Sequence, residues 1–461
     1  MNTDPSLFPD DAPLPVDSPT DRPRCPVPSG PPRLRLPERH QVEFRAASLD
    51  QLLPPDHPAR IVWAFVDKLD LSALLRQIRA VAGHPGQPAN DPRILLALWL
   101  FATIHGVGSA RELDRLCTEH LAYQWLCGGV SMNYHDLADF RSQHVAIIDE
   151  LLTQSVAAML HEELVELHRV AQDGMKVRAS AGAASFRRKP TLERCLEEAK
   201  AQVEALRNQL DEDATAATRR QQAARDRAAR ERHERLEKAL AERAQLAELR
   251  QQQQKEKGTK CDPEQLRTST TDPEARRMKM ADGGTRPGFN VQYATETQSG
   301  IIVGVAVTNS GGDGGQMAPM VEQIVQRYGQ APQEMLVDGG FTTLDDIQAV
   351  HEKHGTQVVG PIKEEEKKKA RGDDPYQPRP KDEPAVAAWR QRMGTEQAKA
   401  IYRQRAATAE WVNAGARQHG MYQVRVRGAR KVLAVALLAA LAHNLLRAEA
   451  LRGQKKQPGK G

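Results

Sequence analysis

The sequence predicts an α/β protein in which a mixed sheet carries an inserted long helical arm and follows an all-α N-terminal domain. Three observations support this fold class. The apolar pattern is helical from Pro54 to about His161. Residues 191–257 contain neither Gly nor Pro and are rich in Ala, Glu, Arg, Gln and Leu. After Gly284, short apolar runs with strand character alternate with amphipathic helices, which is the order expected of a mixed sheet.

Composition divides the N-terminal part into an arm and a helical domain. Residues 1–45 hold much of the proline and show little periodic pattern, which predicts a disordered Pro-rich arm. Within residues 46–163, Pro92 begins a strongly apolar helix, and Ser109 is a suitable N-cap for the next one, with Glu112 three residues later. Short capped helices joined by glycine turns are typical of a helix-turn-helix DNA-binding bundle, and equally of a helical dimerisation domain without DNA contact.

The inserted arm is predicted over residues 190–257. Apolar residues from Leu192 to Leu210 recur at alternating spacings of four and three, which is a short heptad seam typical of a coiled coil. The segment therefore forms a long helix or an antiparallel helical hairpin. A solvated spacer is its expected role, with DNA binding and self-association as the alternatives.

The predicted α/β core comprises residues 164–189 and 258–450. Its strands are expected at 166–178, 289–295, 301–307, 335–338 and 357–360, with helices at 316–328, 343–354, 395–417 and 428–447. The charged segment Lys363–Glu383 is expected to be a flexible loop. Residues 451–461 are expected to be a frayed basic tail.

Composition also restricts the class of protein. A chain of 461 residues is expected to form two or three domains. The net charge is only +5, but Arg and Lys cluster near Glu410 and at the C-terminal end, which favours a polyanionic partner. The five cysteines show no CxxC spacing, so neither a disulfide framework nor a zinc site is expected. We expect no signal peptide, and the longest apolar run, Val432–Ala442, is too short to span a bilayer. A soluble cytoplasmic protein is therefore expected, without a membrane partner.

Three acidic residues form the candidate catalytic and metal-binding set: Asp173, Asp338 and Glu410. Asp173 and Asp338 follow apolar runs and are expected at strand ends, and Glu410 lies within a basic helical segment. Two divalent cations about 3.5–4 Å apart can activate a water or a 3′-OH and stabilise the leaving oxygen of a phosphodiester. Such cations take oxygen ligands, so carboxylates are suitable. Because like charges repel, one of the three acids is expected to have a raised pKa without metal.

Other acids compete with this set. Asp313 lies in the glycine-rich turn SGGDGGQ and is interpreted as a helix cap. Asp345 and Asp346 lie in a first helical turn, where a negative charge suits the helix dipole.

These segments together resemble the DDE transposases of bacterial insertion sequences, whose catalytic domain has a ribonuclease H-like fold. The resemblance runs from about Leu52 to Arg447. The segments that carry it are NYHDLADFRSQH, AQDGMKVRAS, TDPEARRMK, PGFNVQYATE, LVDGGF, IYRQRAATAEWVNAGAR and AHNLLR, in this order. It implies that Asp173, Asp338 and Glu410 hold two Mg²⁺ (or Mn²⁺) ions.

The resemblance also implies a Tyr, Arg, Glu, Lys signature around the third acid, which Tyr402, Arg405, Glu410 and Arg417 match with two departures. The interval from Arg405 to Glu410 is one residue longer than usual. Because one residue rotates a helix by ~100°, Arg403 and Arg405 are both candidates for the signature arginine. The final Lys is Arg417, which can also bind phosphate, and does so bidentately.

Several side chains are candidates for DNA contact. Arg403, Arg405 and Arg417 are expected to bind phosphate beside the metal site. Trp411 either stacks on a displaced base or fills core. Arg276, Arg277 and Lys279 precede a predicted hairpin and either bind backbone phosphate or are exposed turn charges.

The resemblance implies DNA transposition as the function. The protein is expected to bind terminal inverted repeats of double-stranded DNA, cut the element ends with Mg²⁺ and join the freed 3′-OH to target DNA. Excision of both ends implies a homodimer or a larger synaptic multimer. The alternatives are a metal-dependent nuclease of the same fold, which lacks strand transfer, and a non-catalytic DNA-binding protein derived from a transposase.

Overall fold

The computed structural model describes residues 48–81, 83, 87–209, 216–257 and 262–456. The predicted arm of residues 1–45 and residues 457–461 of the predicted tail lie outside the described residues. The fold is a mixed α/β structure, as the sequence predicts.

Helices fill most of the region between residues 58 and 161. They are α1 (Pro58–Val66), α2 (Ser72–Leu75), α3 (Pro92–Ile104), α4 (Ala110–Glu119), α5 (Leu121–Cys127), α6 (Tyr134–Gln143) and α7 (Val145–His161). Helix α3 begins at Pro92 as predicted, with Asp91 accepting a hydrogen bond from the Arg93 amide. The Ser109 side chain caps α4 by accepting from the Glu112 amide. The predicted helix starts are therefore confirmed at both positions.

The arm is bounded by a small sheet that joins its two ends. Strand β1 (Arg169–Arg178) and strand β2 (Phe186–Arg187) precede helices α8 (Lys189–Gln209) and α9 (Ala216–Lys257), and β3 (Thr268–Ser269) follows them. Strands β2 and β3 pair antiparallel, so the chain leaves and re-enters the core at one place. Helices α8 and α9 pack side by side, and their apolar side chains form a cluster separate from the main core: Leu192, Ala199, Leu236 and Ala239.

The main sheet follows the arm. It contains β4 (Arg276–Lys279), β5 (Thr285–Glu296), β6 (Ile302–Thr308), β7 (Glu334–Leu336) and β8 (Gln357–Val359), with α10 (Met317–Tyr328) and α11 (Leu344–His354) between strands. The order is β6-β5-β1-β7-β8, and β4 pairs with the other end of β5. Strands β1, β7 and β8 are parallel, whereas β5 is antiparallel to both β1 and β6. Strands β6, β1, β7 and β8 therefore point the same way.

Helices complete the described chain after β8. They are α12 (Glu365–Ala370), α13 (Pro384–Met393), α14 (Glu396–Arg405), α15 (Trp411–Gln418) and α16 (Ala429–Lys456), and a π-helical turn, Ala406–Glu410, joins α14 to α15. Two expectations differ from this. The expected loop of residues 363–383 contains α12, and α16 continues through residues expected to fray.

Helix α16 lies in the core. It packs against β6, α3 and α7, and the Asn444 side chain exchanges two hydrogen bonds of 2.8 Å with the backbone of Ile302. Within the described ranges, α16 is the one helix that is long and apolar enough, by length and composition alone, to cross a membrane. Its apolar window is 67% buried inside the protein, as in a core helix.

Candidate active site

The sheet register places Asp173 and Asp338 at the same level of two neighbouring strands. Ala171 of β1 pairs with Leu336 of β7, and each acid lies two residues beyond its member of this pair. Asp173 is in the middle of β1, because β1 continues to Arg178 along β5. The expectation that Asp173 ends its strand was therefore wrong, whereas Asp338 does follow the end of β7.

The Arg405 side chain lies between the two acids. Its Nη2 atom is 4.0 Å from Asp173 Oδ1 and 3.6 Å from Asp338 Oδ2. Arg403, two residues earlier on the same helix, is exposed. Of the two arginines that the sequence left open, Arg405 is therefore the one that faces the acids.

Asn413 holds the second oxygen of Asp173. Its Nδ2 donates a 2.8 Å hydrogen bond to Asp173 Oδ2. Asn413 is buried, and its Oδ1 has no hydrogen-bond partner within the described part of the chain. Asp173 Oδ1 accepts a 3.0 Å hydrogen bond from the Gly174 amide, and Asp338 Oδ1 accepts one of 2.7 Å from the Gly340 amide. Carboxylate and amide oxygens are of the type that a hard divalent cation takes.

The π-helical turn explains the additional residue between Arg405 and Glu410. A π-turn bonds residue i to i+5, where an α-helix bonds i to i+4. Because the turn takes up the added residue, Glu410 follows Arg405 by one turn of the helix. Glu410 also precedes Asn413 by three residues, which places both on one side of the helix.

Glu410 itself does not contact the other two acids in this structure. Its side chain is exposed and forms no hydrogen bond or ion pair with the described residues. Among the residues that the structure describes, no three His, Cys, Asp or Glu side chains are grouped so that they could hold a metal ion.

Burial raises the pKa of the Asp173 carboxyl. The Arg405 guanidinium opposes this effect, and the Asp338 carboxylate adds to it. The expected direction is thus confirmed, although burial contributes more than repulsion between like charges. Burial also raises the pKa of Tyr402, with Asp338 and Asp173 adding to the rise against Arg405, so Tyr402 lies near the same acids and keeps its proton at neutral pH.

Asp313 lies near this site, and the sequence analysis did not predict that position. Its carboxylate accepts hydrogen bonds from Lys176 Nζ at 3.0 Å, Asn290 Nδ2 at 2.6 Å and Gln292 Nε2 at 2.9 Å. It does not cap α10, whose N-cap is Gln316. The interpretation of Asp313 as a helix cap was therefore wrong.

The direction of the strands explains why Asp313 lies near the site, and a prediction of that direction could have indicated its position. Strands β6, β1 and β7 are parallel, so the loops after β6 and β7 lie at the same edge of the sheet. Asp313 and Asp338 occupy those two loops. Ligand sites of open α/β sheets form at this edge.

The remaining basic and aromatic candidates divide into free and occupied side chains. Arg403, Arg417, Arg277 and Lys279 are exposed. Arg276 differs from the expectation, because its guanidinium forms a 2.6 Å ion pair with Glu242 of α9 and is largely buried. Trp411 does not fill core: it is 49% exposed and contacts His443 and Arg447.

Two family models match the chain. Residues 47–143 match "Transposase domain (DUF772)", and residues 253–445 match "Transposase DDE domain". Together the matched ranges cover more than half of the chain. No curated protein and no solved structure is similar enough to count as a match.

A transposase domain and a DDE domain on one chain define a transposase, an enzyme of transposable elements. The chain belongs to the DDE transposases of the insertion-sequence type. Enzymes of this family generally use divalent metal ions. Asp338 and Glu410 lie inside the matched DDE range, whereas Asp173 lies outside both matched ranges.

Proposed function

We propose that the protein binds the terminal inverted repeats of its element, cuts the DNA at the element ends and joins the freed 3′-OH to target DNA. The observation that carries this proposal is the placement of Asp173 and Asp338 at one level of two parallel strands, both within 4.0 Å of one guanidinium. The sheet order β6-β5-β1-β7-β8, with β5 antiparallel, supports a ribonuclease H-like core.

Asp173, Asp338 and Glu410 are the proposed ligands of two Mg²⁺ (or Mn²⁺) ions. When bound, such ions activate a water or 3′-OH and stabilise the leaving oxygen. Asn413 holds Asp173 by one oxygen, and Glu410 lies three residues before Asn413 on the same side of the helix. Tyr402, whose pKa is raised, would donate a hydrogen bond to a phosphate of the DNA.

Double-stranded DNA is the proposed substrate, and the basic and aromatic candidates would contact it. The proposed contacts are Tyr402, Arg403, Arg405, Arg417, Trp411, Arg277 and Lys279. Most are cations suited to backbone phosphate, which positions DNA without reading its sequence. Arg276 is left out, because Glu242 already neutralises its charge.

We assign residues 46–163 to recognition of the repeats and residues 164–189 with 258–450 to catalysis. Residues 190–257 form a spacer arm whose helical pair is also a candidate coiled-coil surface for self-association. Excision of two ends calls for a homodimer or a larger synaptic multimer. Its DNA substrate places the enzyme in the cytoplasm, at the nucleoid of a bacterium.

The test combines binding, cleavage and joining. The purified protein is mixed with a duplex that carries the element end, mapped from the DNA flanking its gene, in Mg²⁺. We expect cleavage that Asp338→Asn abolishes while DNA binding persists. Pre-cut ends with a supercoiled target then test strand transfer. Cleavage without joining would favour a nuclease, and binding without cleavage by the unaltered protein would favour a non-catalytic DNA-binding protein.

A further inference from the structure

Arg405 occupies the place where a cation would meet Asp173 and Asp338. Its side chain is 12% exposed, and its Nε has no hydrogen-bond partner among the described residues. The nearest charged groups to Nη2 are the two carboxylates, at 4.0 and 3.6 Å. The guanidinium is therefore held mainly by their charge.

This placement has two electrostatic consequences. The guanidinium offsets the repulsion between Asp173 and Asp338, which the register of β1 and β7 forces to one level. The same positive charge repels any divalent cation that approaches these carboxylates, and the repulsion is strong at about 4 Å in a partly buried site. Asp173 Oδ2 accepts a hydrogen bond from Asn413 and Oδ1 accepts one from the Gly174 amide, so each oxygen keeps a lone pair for a cation, and Oδ1 is the oxygen nearest Arg405.

We propose that Arg405 is a resident counter-ion that keeps Asp173 and Asp338 from loading divalent cations until DNA enters the site. The proposal rests on the proposed function. A backbone phosphate offers a guanidinium two charged oxygens in matching geometry. When DNA binds, Arg405 turns from the acids to this phosphate, and the two carboxylates become available to metal.

A role of Arg405 in holding the two acids for metal predicts the opposite change in metal affinity. If Arg405 served only to hold the two acids in place for metal, its removal would weaken metal binding. A counter-ion that competes with metal predicts tighter metal binding on its removal. The affinity for metal in the absence of DNA therefore separates the two roles without any measurement of catalysis.

The experiment measures Mn²⁺ binding to the full chain without DNA, by calorimetry and by the electron paramagnetic resonance signal of free Mn²⁺. We expect Arg405→Gln and Arg405→Met to bind Mn²⁺ about tenfold or more tightly than the unaltered protein. Arg405→Lys keeps the charge and stays close to the unaltered protein. Lys399→Gln is the matched control, since it removes a charge that pairs with Glu396 on the same helix and leaves the affinity unchanged.

A second measurement adds the element-end duplex. DNA should raise the Mn²⁺ affinity of the unaltered protein, and Mn²⁺ should raise its DNA affinity by the same factor, because coupling between two ligands is reciprocal. The factor should be smaller in Arg405→Gln, whose acids are already free. If neither neutral variant folds, as judged by thermal unfolding, an Mn²⁺ affinity that DNA leaves unchanged in the natural chain overturns the proposal.

The outcomes separate this inference from the proposed function. An unaltered protein that binds no Mn²⁺ and cuts no DNA overturns both. An unaltered protein that binds Mn²⁺ and cuts DNA, with unchanged or weaker Mn²⁺ binding in the neutral variants, overturns the counter-ion role alone. If Arg405→Lys bound Mn²⁺ as tightly as Arg405→Gln, the counter-ion role would also be overturned, because the charge of residue 405 would not be the cause of the change in affinity.

Discussion

Gly174 lies directly against the carboxylate of Asp313. A Cβ atom at residue 174 would overlap Asp313 Oδ1 and lie 2.6 Å from Gln292 Nε2 and 2.7 Å from Asn290 Oδ1. The glycine after Asp173 thus permits β1 to approach the loop that carries Asp313. This contact links the strand of one proposed ligand to a partly buried carboxylate whose position the sequence did not reveal.

Gly174→Ala should therefore destabilise the protein by about 1–3 kcal/mol, since the added methyl group must displace Asp313 or Gln292. Urea unfolding measures the change. Gly182→Ala is the matched control, because a Cβ there meets no atom within 4 Å, and its stability should stay within about 0.5 kcal/mol of the natural chain. Equal stability of the two variants would mean that the loop yields without cost.

Glu410→Gln should lower cleavage of element ends by orders of magnitude and leave affinity for those ends almost unchanged. The substitution keeps the size of the side chain but removes the charge that helps to hold metal. Cleavage in Mg²⁺ is measured beside DNA binding. Glu396→Gln is the control, because Glu396 is exposed and pairs with Lys399. Normal cleavage by Glu410→Gln would remove Glu410 from the site and make Asp313 the next acid to test.

Arg417→Ala should weaken DNA binding and lower the dependence of binding on salt by about one unit of slope, as expected for one lost phosphate contact. Binding measured at several salt concentrations checks this. Arg452→Ala provides the comparison, because Arg452 already pairs with Glu162 and should not change the slope. An unchanged slope in Arg417→Ala would assign Arg417 to the solvated helix face.

The arm should be removable in part. Replacing residues 203–228 with a short flexible linker should leave the free energy of unfolding of the core unchanged, because the buried arm residues Leu192 and Leu236 lie outside this segment and pack in a separate cluster. Unfolding of the core after this replacement would show that the arm is packed structure.

Glu242→Gln should lower the free energy of unfolding by about 1–3 kcal/mol, since it removes the charged partner of the largely buried Arg276.

Stability should depend on pH through Asp272. Burial is the largest cause that raises the pKa of this carboxyl, to about 6, from its ordinary value of 3.8. Because the folded-state pKa is raised, the stabilising contribution of the protonated form is complete below about pH 4 and is lost as pH rises through about 6. The loss is of order 3 kcal/mol. Asp272→Asn should not show this loss of stability. The difference between the natural chain and Asp272→Asn in urea unfolding at each pH isolates the contribution of the Asp272 carboxyl.

The sequence by itself determined the class of protein and most of its elements. Periodicity and capping predicted the helices that begin at Pro92 and Ala110, and strand character at residues 289–295 and 301–307 predicted β5 and β6, because these signals act between residues close in the chain. The resemblance to DDE transposases, which depended on the order of short motifs, is confirmed by the two matching family models. The site residues that the resemblance implied, and the domain boundaries, stay predictions.

Only the tertiary structure decided which side chains meet. The choice of Arg405 over Arg403 depended on the distances from the Arg405 guanidinium to Asp173 and Asp338. Periodicity also does not reveal the π-turn after Arg405, since one added residue is either absorbed locally or rotates the rest of the helix. The pairing of Arg276 with Glu242 and the approach of Asp313 to Gly174 join segments that are distant in the chain. Such contacts follow from strand order and direction, which long-range packing sets and a local pattern cannot specify.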